Sequence, residues 1–190
     1  MQDVIKKNFS EHLEVVNKVL ESNAETIDLF GDLLSTCLKN NGTIFWCGNG
    51  GSASDSQHIA AELVGRFKDD RPALKSIALT TDTSILTSVA NDYGFSEIFS
   101  RQFEALGSSG DILVGISTSG GSENIIRAFQ AAKNLGATTL ALTGNDGGKV
   151  KKISDYSLVV ESKSTARIQE AHILIGHILC ELIEKRLQLV

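Results

Sequence analysis

Five short apolar segments, each followed by helical spacing, constrain the fold of this chain more than any other feature. They are residues 43–47, 76–79, 111–116, 138–142 and 156–160. None alternates between polar and apolar residues, which is typical of strands buried on both faces of a parallel sheet. A chain of 190 residues also fits one domain. The sequence therefore predicts a three-layer αβα sandwich with a doubly wound, five-stranded parallel sheet.

The helical spacing at the two ends of the chain predicts further helices. Apolar residues over 4–20 and again over 27–38 predict an N-terminal helical pair within residues 1–42, ahead of an α/β core over 43–190. A last helix is predicted over 166–187, with apolar residues all around its circumference. Such a helix is buried on most sides, and in a chain this small we expect the extra burial to come from another subunit.

Composition argues against several classes of protein. The net charge of −5 does not suit a nucleic-acid or anionic membrane partner, which needs a basic surface. The three cysteines show no CxxC spacing, so we expect reduced thiols and a cytoplasmic protein. The first residues lack the pattern of a signal peptide, and no segment has transmembrane length.

Two loops rich in glycine and serine are the candidate binding segments, because ligands of a doubly wound sheet bind beyond the carboxyl ends of its strands. The Ser cup, defined as Ser117, Thr118, Ser119 and Ser122, surrounds one helix start and favours a phosphate group. Alternatively, Ser122 only caps the helix and the others only form the turn. A cap needs one serine, so we favour phosphate.

The other segment is the Gly48 loop (residues 48–52). Its spacing Gly48-x-Gly50-x-x-Ala53 also matches a dinucleotide fingerprint, and Asp82 ends the next strand. That pattern would indicate an NAD-dependent enzyme. Against a nucleotide, the following helix is polar where small apolar residues would pack under the cofactor, and the Ser cup would have no role.

The polar residues of that helix share one face. His58 and Glu62 are four residues apart, and Asp55 lies one turn before His58. Such a pair can hold a metal or transfer a proton, with Asp55 orienting the imidazole; a plain exposed helix face would give the same pattern. The last helix adds three polar residues that need partners or a function: Gln169, His172 and His177.

Six segments in order resemble the phosphoheptose isomerases, a family built on the sugar-isomerase (SIS) fold. They are CGNGGS (47–52), HIAAELVGR (58–66), ANDYGF (90–95), GISTSG (115–120), LTGNDGGK (142–149) and RIQE (167–170) with His177. The resemblance implies an aldose–ketose isomerase that converts sedoheptulose 7-phosphate into D-glycero-D-manno-heptose 7-phosphate, which feeds lipopolysaccharide synthesis.

The resemblance also implies roles for single residues. Those that would hold the phosphate are Ser52, Ser117, Thr118, Ser119 and Ser122. Those that would contact the sugar are Asn49, Gly50, Gly51, Asn91 and Asp92, with Glu62 and Gln169. Those that would bind one zinc per subunit are His58, Glu62, Gln169 and His177. Glu62 and His177 would also be the acid/base pair.

The chemistry of the reaction fits these roles. Moving a proton between adjacent carbons through an enediol needs one base beside both carbons, and Glu62 is the candidate. Ring opening and proton movement on the oxygens suit His177. A zinc-bound Glu62 would be a poorer base, so its two roles are not expected to operate at the same instant.

One position departs from the family pattern. Ala166 stands where members commonly carry an aspartate. A relative that binds the bacterial replication initiator, without isomerising sugars, shares this alanine but lacks the counterparts of Glu62 and His177. Such a non-catalytic adaptor, and a sugar-phosphate sensor that needs only the Ser cup, are the alternatives to an enzyme.

The spacing on the last helix predicts an assembly. Gln169 and His177 are separated by about 12 Å along the helix and about 80° around it. Spacing alone would pair Gln169 with His172, whereas the resemblance selects His177. The spacing and the resemblance agree if one subunit supplies Gln169 and its neighbour supplies His177. We therefore expect a homotetramer with active sites at subunit interfaces.

Overall fold

The computed structural model describes residues 1–189. Its elements follow in the order α1 (Gln2–Lys39), β1 (Ile44–Gly48), α2 (Gly51–Val64), β2 (Ser76–Ala78), α3 (Thr83–Asp92), a 3₁₀ turn (Phe95–Glu97), α4 (Ser100–Leu106), β3 (Ile112–Ser117), α5 (Glu123–Asn134), β4 (Thr138–Gly144), α6 (Gly148–Ile153), β5 (Tyr156–Val160) and α7 (Thr165–Arg186). The five predicted strands are all present. The short helix α6 was not predicted.

The strands form one parallel sheet in the order β2-β1-β3-β4-β5. Every residue of β1 and β3 is buried, because helices cover both faces of the sheet, and this explains their continuous apolar sequences. One core cluster joins α1, α2 and α7 to one face of the sheet, and a second joins α4, α5 and α6 to the other. The predicted three-layer αβα sandwich is confirmed.

The predicted N-terminal helical pair is wrong, because α1 is one helix of 38 residues. Residues 21–26, between the two predicted helices, contain neither glycine nor proline, so nothing interrupts the backbone hydrogen bonds there. The second half of α1 buries Phe30 and Leu34 in the core. The first half leaves an apolar stripe exposed, which consists of Val4, Ile5, Phe9, Leu13 and Leu20.

The strand order reverses between β1 and β3, which are neighbours in the sheet. The helices that follow them, α2 and α5, pack on opposite faces. Such a reversal opens a crevice at the carboxyl ends of the two strands, where ligands of this architecture bind. Across the described residues, no helix combines the length and apolar character needed to cross a membrane.

Candidate active site

The two predicted binding loops meet at this crevice, where a pair of asparagines joins them. Asn49 Nδ2 donates to Asn124 Oδ1 at 2.9 Å, and Asn124 Nδ2 donates to Asn49 Oδ1 at 2.8 Å. Asn124 is buried in the first turn of α5. Sequence analysis missed it, since only its place two residues after the Ser cup could have drawn attention to it.

Two hydroxyls of the Ser cup, those of Ser117 and Ser122, bond to each other. Ser117 Oγ and Ser122 Oγ are 2.9 Å apart, and the Gly120 N–H donates to Ser117 Oγ at 3.1 Å. Ser122 precedes α5, but its side chain makes no capping hydrogen bond. Ser122 is therefore not a side-chain cap, and the first amides of α5 have no cap that would compete with an anion.

The beginning of α2 lies against α7 at Gln169. A Cβ on Gly51 would overlap the side-chain amide of Gln169, so this glycine leaves room for the amide in its present position. Ser52, the next residue, is buried. The structure thus brings Gln169 to the Gly48 loop of its own chain.

Further along the same two helices, three side chains form the His–Glu–His cluster, defined as His58, Glu62 and His177. His58 Nε2 lies 3.1 Å from Glu62 Oε1 and 3.4 Å from His177 Nε2. The Phe67 ring stacks on the His177 ring, with centroids 5.4 Å apart and planes at 24°. The side chains of His58 and Glu62 are 48% and 23% exposed, so a ligand can reach them.

The cluster fits a tetrahedral metal such as zinc. One ligand atom from each residue lies within 4.8 Å of the others. In a tetrahedral site with bonds of about 2.05 Å, neighbouring ligand atoms are about 3.3 Å apart, close to the two distances measured here. Three ligands would leave the fourth position for another group.

A single chain brings only some of the predicted site residues close together. Gln169 and His177 contact different ends of α2, so one chain brings together three of the four predicted zinc ligands. Asn91 and Asp92 are exposed at the end of α3, where Asn91 Nδ2 donates to Asp92 Oδ1 at 2.7 Å. Among the described residues, neither side chain forms a hydrogen bond to the Gly48 loop or the Ser cup.

Two further titratable residues, His172 and Asp55, differ from the sequence-based expectation in their burial and hydrogen bonds. His172 is buried, its Nε2–H donates to the Thr143 carbonyl at 3.1 Å, and burial lowers its pKa to about 4. It is therefore a neutral core residue. Asp55 forms no hydrogen bond to His58 within residues 1–189; burial raises the pKa of its carboxyl, and Asp55 Oδ2 has no partner there.

The acidic residue of the dinucleotide alternative has a structural function. Asp82 Oδ1 accepts a hydrogen bond from the Ile85 N–H at 2.9 Å, so Asp82 caps α3. An aspartate that binds a ribose would need this carboxylate for the ligand. The geometry therefore favours the sugar-phosphate interpretation of the Gly48 loop.

Comparisons with known proteins identify the family of the chain. Residues 8–144 match the family model of the SIS domain. The chain is 55% identical over 185 residues to a phosphoheptose isomerase of Helicobacter pylori strain P12, covering 97% of this chain and 96% of that relative. The corresponding protein of Aquifex aeolicus is 54% identical, with 97% of each chain covered. A solved phosphoheptose isomerase of Neisseria gonorrhoeae superposes with a TM-score of 0.92 at 45% identity, covering 97% of this chain and 98% of that one.

The parallel sheet, the serine-lined crevice and the SIS match together define a sugar isomerase of the SIS class. Sequence identity to phosphoheptose isomerases extends over nearly the full length of the chain. The chain therefore belongs to the phosphoheptose isomerase family. The predicted family and the predicted aldose–ketose isomerase activity are confirmed. The non-catalytic adaptor and the sensor are not favoured.

Proposed function

We propose that the chain converts sedoheptulose 7-phosphate into D-glycero-D-manno-heptose 7-phosphate in the cytoplasm, for heptose and lipopolysaccharide precursors. The observation that carries this proposal is the assembly of His58, Glu62 and His177 on the helices that also border the serine-lined crevice. The cytoplasmic location is supported by three cysteines that are buried and unpaired.

The substrate phosphate binds in the Ser cup with Ser52. Hydroxyl and amide donors surround the start of α5, and the helix dipole favours the negative charge there. The sugar then extends past Asn49, Gly50 and Gly51. The asparagine pair fixes the orientation of the Asn49 amide, because each side chain uses one donor and one acceptor on the other.

Glu62 moves the proton between the two reacting carbons. It takes a proton from carbon 1 of the open-chain ketose while the carbonyl oxygen on carbon 2 is protonated, which gives the enediol. Return of the proton to carbon 2 and loss of the oxygen-bound proton at carbon 1 give the aldose. Glu62 Oε1 faces His58, whereas Oε2 has no hydrogen-bond partner within residues 1–189, so one oxygen can be held while the other transfers the proton.

His177 suits proton transfer on the sugar oxygens, because the stacked Phe67 ring fixes its imidazole plane beside Glu62. His58, Glu62 and His177 would hold zinc, with the partner subunit's Gln169 as the fourth ligand. Such an ion would polarise the sugar carbonyl. Elemental analysis should find one zinc per subunit, and full activity in a stripped, metal-free preparation would contradict this.

The assembly is a homotetramer with active sites between subunits. The apolar stripe on the first half of α1 is exposed in the single chain, and so are Leu174 and Ile178 on α7. A second copy of the chain would cover these surfaces. Because Gln169 lies against the Gly48 loop of its own chain, the neighbour's His–Glu–His cluster would then face that loop and its Ser cup.

The proposed reaction is tested by incubating the purified protein with sedoheptulose 7-phosphate and following the sugars by NMR. We expect the aldose 7-phosphate to form. Fructose 6-phosphate, which shortens the chain between phosphate and carbonyl by one carbon, should react much more slowly. Absence of any aldose from folded, zinc-loaded protein would contradict the proposed substrate.

A further inference from the structure

A buried ion pair lies directly behind the His–Glu–His cluster, outside every residue set assigned above. Arg71, in the irregular segment after α2, donates from Nε to Glu184 Oε1 on α7 at 2.7 Å. The two side chains are only 0% and 1% exposed. Burying a full ion pair contributes little net stability compared with well-packed apolar side chains, so its presence calls for another explanation.

Arg71 contacts the backbone that carries the catalytic carboxylate. Its Nη2 donates to the Glu62 carbonyl at 2.8 Å, and its Nη1 donates to the Leu63 carbonyl at 2.9 Å. These carbonyls belong to the last turn of α2, whose acceptors have no partner within the helix and carry the negative end of the dipole. The guanidinium therefore fixes the end of α2 at Glu62.

Glu184 acts on the other side of the cluster. The same oxygen that accepts from Arg71 also accepts the Phe67 N–H at 3.1 Å. The Phe67 ring is the one that stacks on His177. One buried ion pair thus connects to the backbone of Glu62 directly and to the imidazole of His177 through Phe67.

We infer that Arg71 and Glu184 are positioning residues for the isomerisation, which hold Glu62 and His177 at the separation that the metal and the proton transfer require. The inference rests on the roles proposed for Glu62 and His177. Small displacements of reacting groups reduce rates steeply, and residues that support metal ligands typically change metal affinity 10- to 100-fold when replaced.

The test replaces both charges at once, Arg71→Met with Glu184→Met, so that no single charge is left buried. We expect kcat to fall about tenfold or more and zinc affinity, titrated with zinc alone by calorimetry, to fall about tenfold. KM should change by less than about threefold, since the Ser cup is untouched. A matched control is Arg186→Met with Asp28→Asn, an arginine–carboxylate pair that also joins α7 to another element, with Arg186 partly exposed and Asp28 exposed. This control should keep the wild-type kcat and zinc affinity.

Wild-type kcat or wild-type zinc affinity in the folded double variant would overturn the inference. If that variant does not fold, Phe67→Leu carries the test, because it removes the ring from His177 and keeps the backbone N–H. A lower kcat at unchanged KM supports the inference, and an unchanged kcat overturns it. Failure of the proposed function is distinguished in two ways: the wild type would form no aldose, or Glu62→Gln would keep wild-type activity. Failure of the inference alone leaves wild-type turnover and the loss in Glu62→Gln intact.

Discussion

At the scale of single residues, the Ser cup differs from an ordinary helix start because the Ser117 and Ser122 hydroxyls bond to each other and Ser122 makes no hydrogen bond to the helix amides. Under the proposed function, replacing Ser119 and Ser122 together by alanine removes two donors to the phosphate. We expect KM to rise at least tenfold while the protein stays folded. Steady-state kinetics measure this, with Ser109→Ala plus Ser154→Ala as the control, since these serines precede β3 and β5 at the amino ends of the strands. An unchanged KM would place the phosphate elsewhere.

His172 makes the stability depend on pH. Its pKa is lowered from 6.5 to about 4 in the folded protein by burial, so the unfolded chain binds the extra proton between these values. The folded state therefore loses stability as the pH falls from 6.5 towards 4, by about 2 kcal/mol at pH 5 relative to pH 7.5. Urea unfolding at fixed protein concentration should show this loss in the wild type and a smaller one in His172→Gln. Equal losses would show that His172 is not the group responsible.

Candidate site residues could be predicted from the sequence where they lie close together along one loop or one helix. The Ser cup and the His58–Glu62 pair follow from spacing along one loop and one helix. Arg71 and Asn124 could not be found in this way, because their partners Glu184 and Asn49 are distant in sequence and only the fold brings them together. His172 was a candidate site residue by spacing but lies in the core, because helical spacing does not tell which face of a helix is buried.

At the scale of elements, the contact between α2 and α7 sets the geometry of the cluster. A Cβ on Gly176 would lie 2.6 Å from Ile59 Cδ1, so the two helices approach closely only with glycine there. Gly176→Val should lower the free energy of unfolding by about 2 kcal/mol. In an Ile59→Ala background, where space is available, the same change should cost much less. Denaturant unfolding of the four variants measures this, and equal losses in both backgrounds would contradict the packing account.

The strands were predictable because continuous apolar segments are what a doubly covered parallel sheet requires. The long helix α1 was not predicted, because residues 21–26 interrupt the apolar spacing without breaking the helix. A helix ends only where hydrogen bonding or backbone geometry forces it to end, and residues 21–26 supply no such cause.

At the scale of the whole molecule, the central prediction is that each active site combines two chains. Within one chain, Glu62 and His177 belong to the same cluster, while Gln169 lies against the Gly48 loop. We therefore expect Glu62→Gln and the double Ser119→Ala, Ser122→Ala variant, each poorly active alone, to regain activity when mixed after mild dissociation. In a random mixture with two-fold interfaces, about a quarter of the sites would be intact.

The matched control mixes Glu62→Gln with His177→Ala, whose defects lie in the same cluster. That mixture should stay inactive, because every site inherits one of the two defects. No recovery in the first mixture despite verified exchange of subunits would place the cup and the cluster of each active site in one chain. Recovery in the control would show that Glu62 and His177 of one site come from different chains.

Proton transfer by Glu62 is tested most directly by running the isomerisation in D2O and following both sugars by NMR. The account predicts that deuterium enters carbon 1 of the ketose and carbon 2 of the aldose. It also predicts that Glu62→Gln lowers this rate about a hundredfold or more, whereas Glu104→Gln, an exposed glutamate on α4, leaves it unchanged. An isomerisation rate in Glu62→Gln within about threefold of the wild type would contradict it.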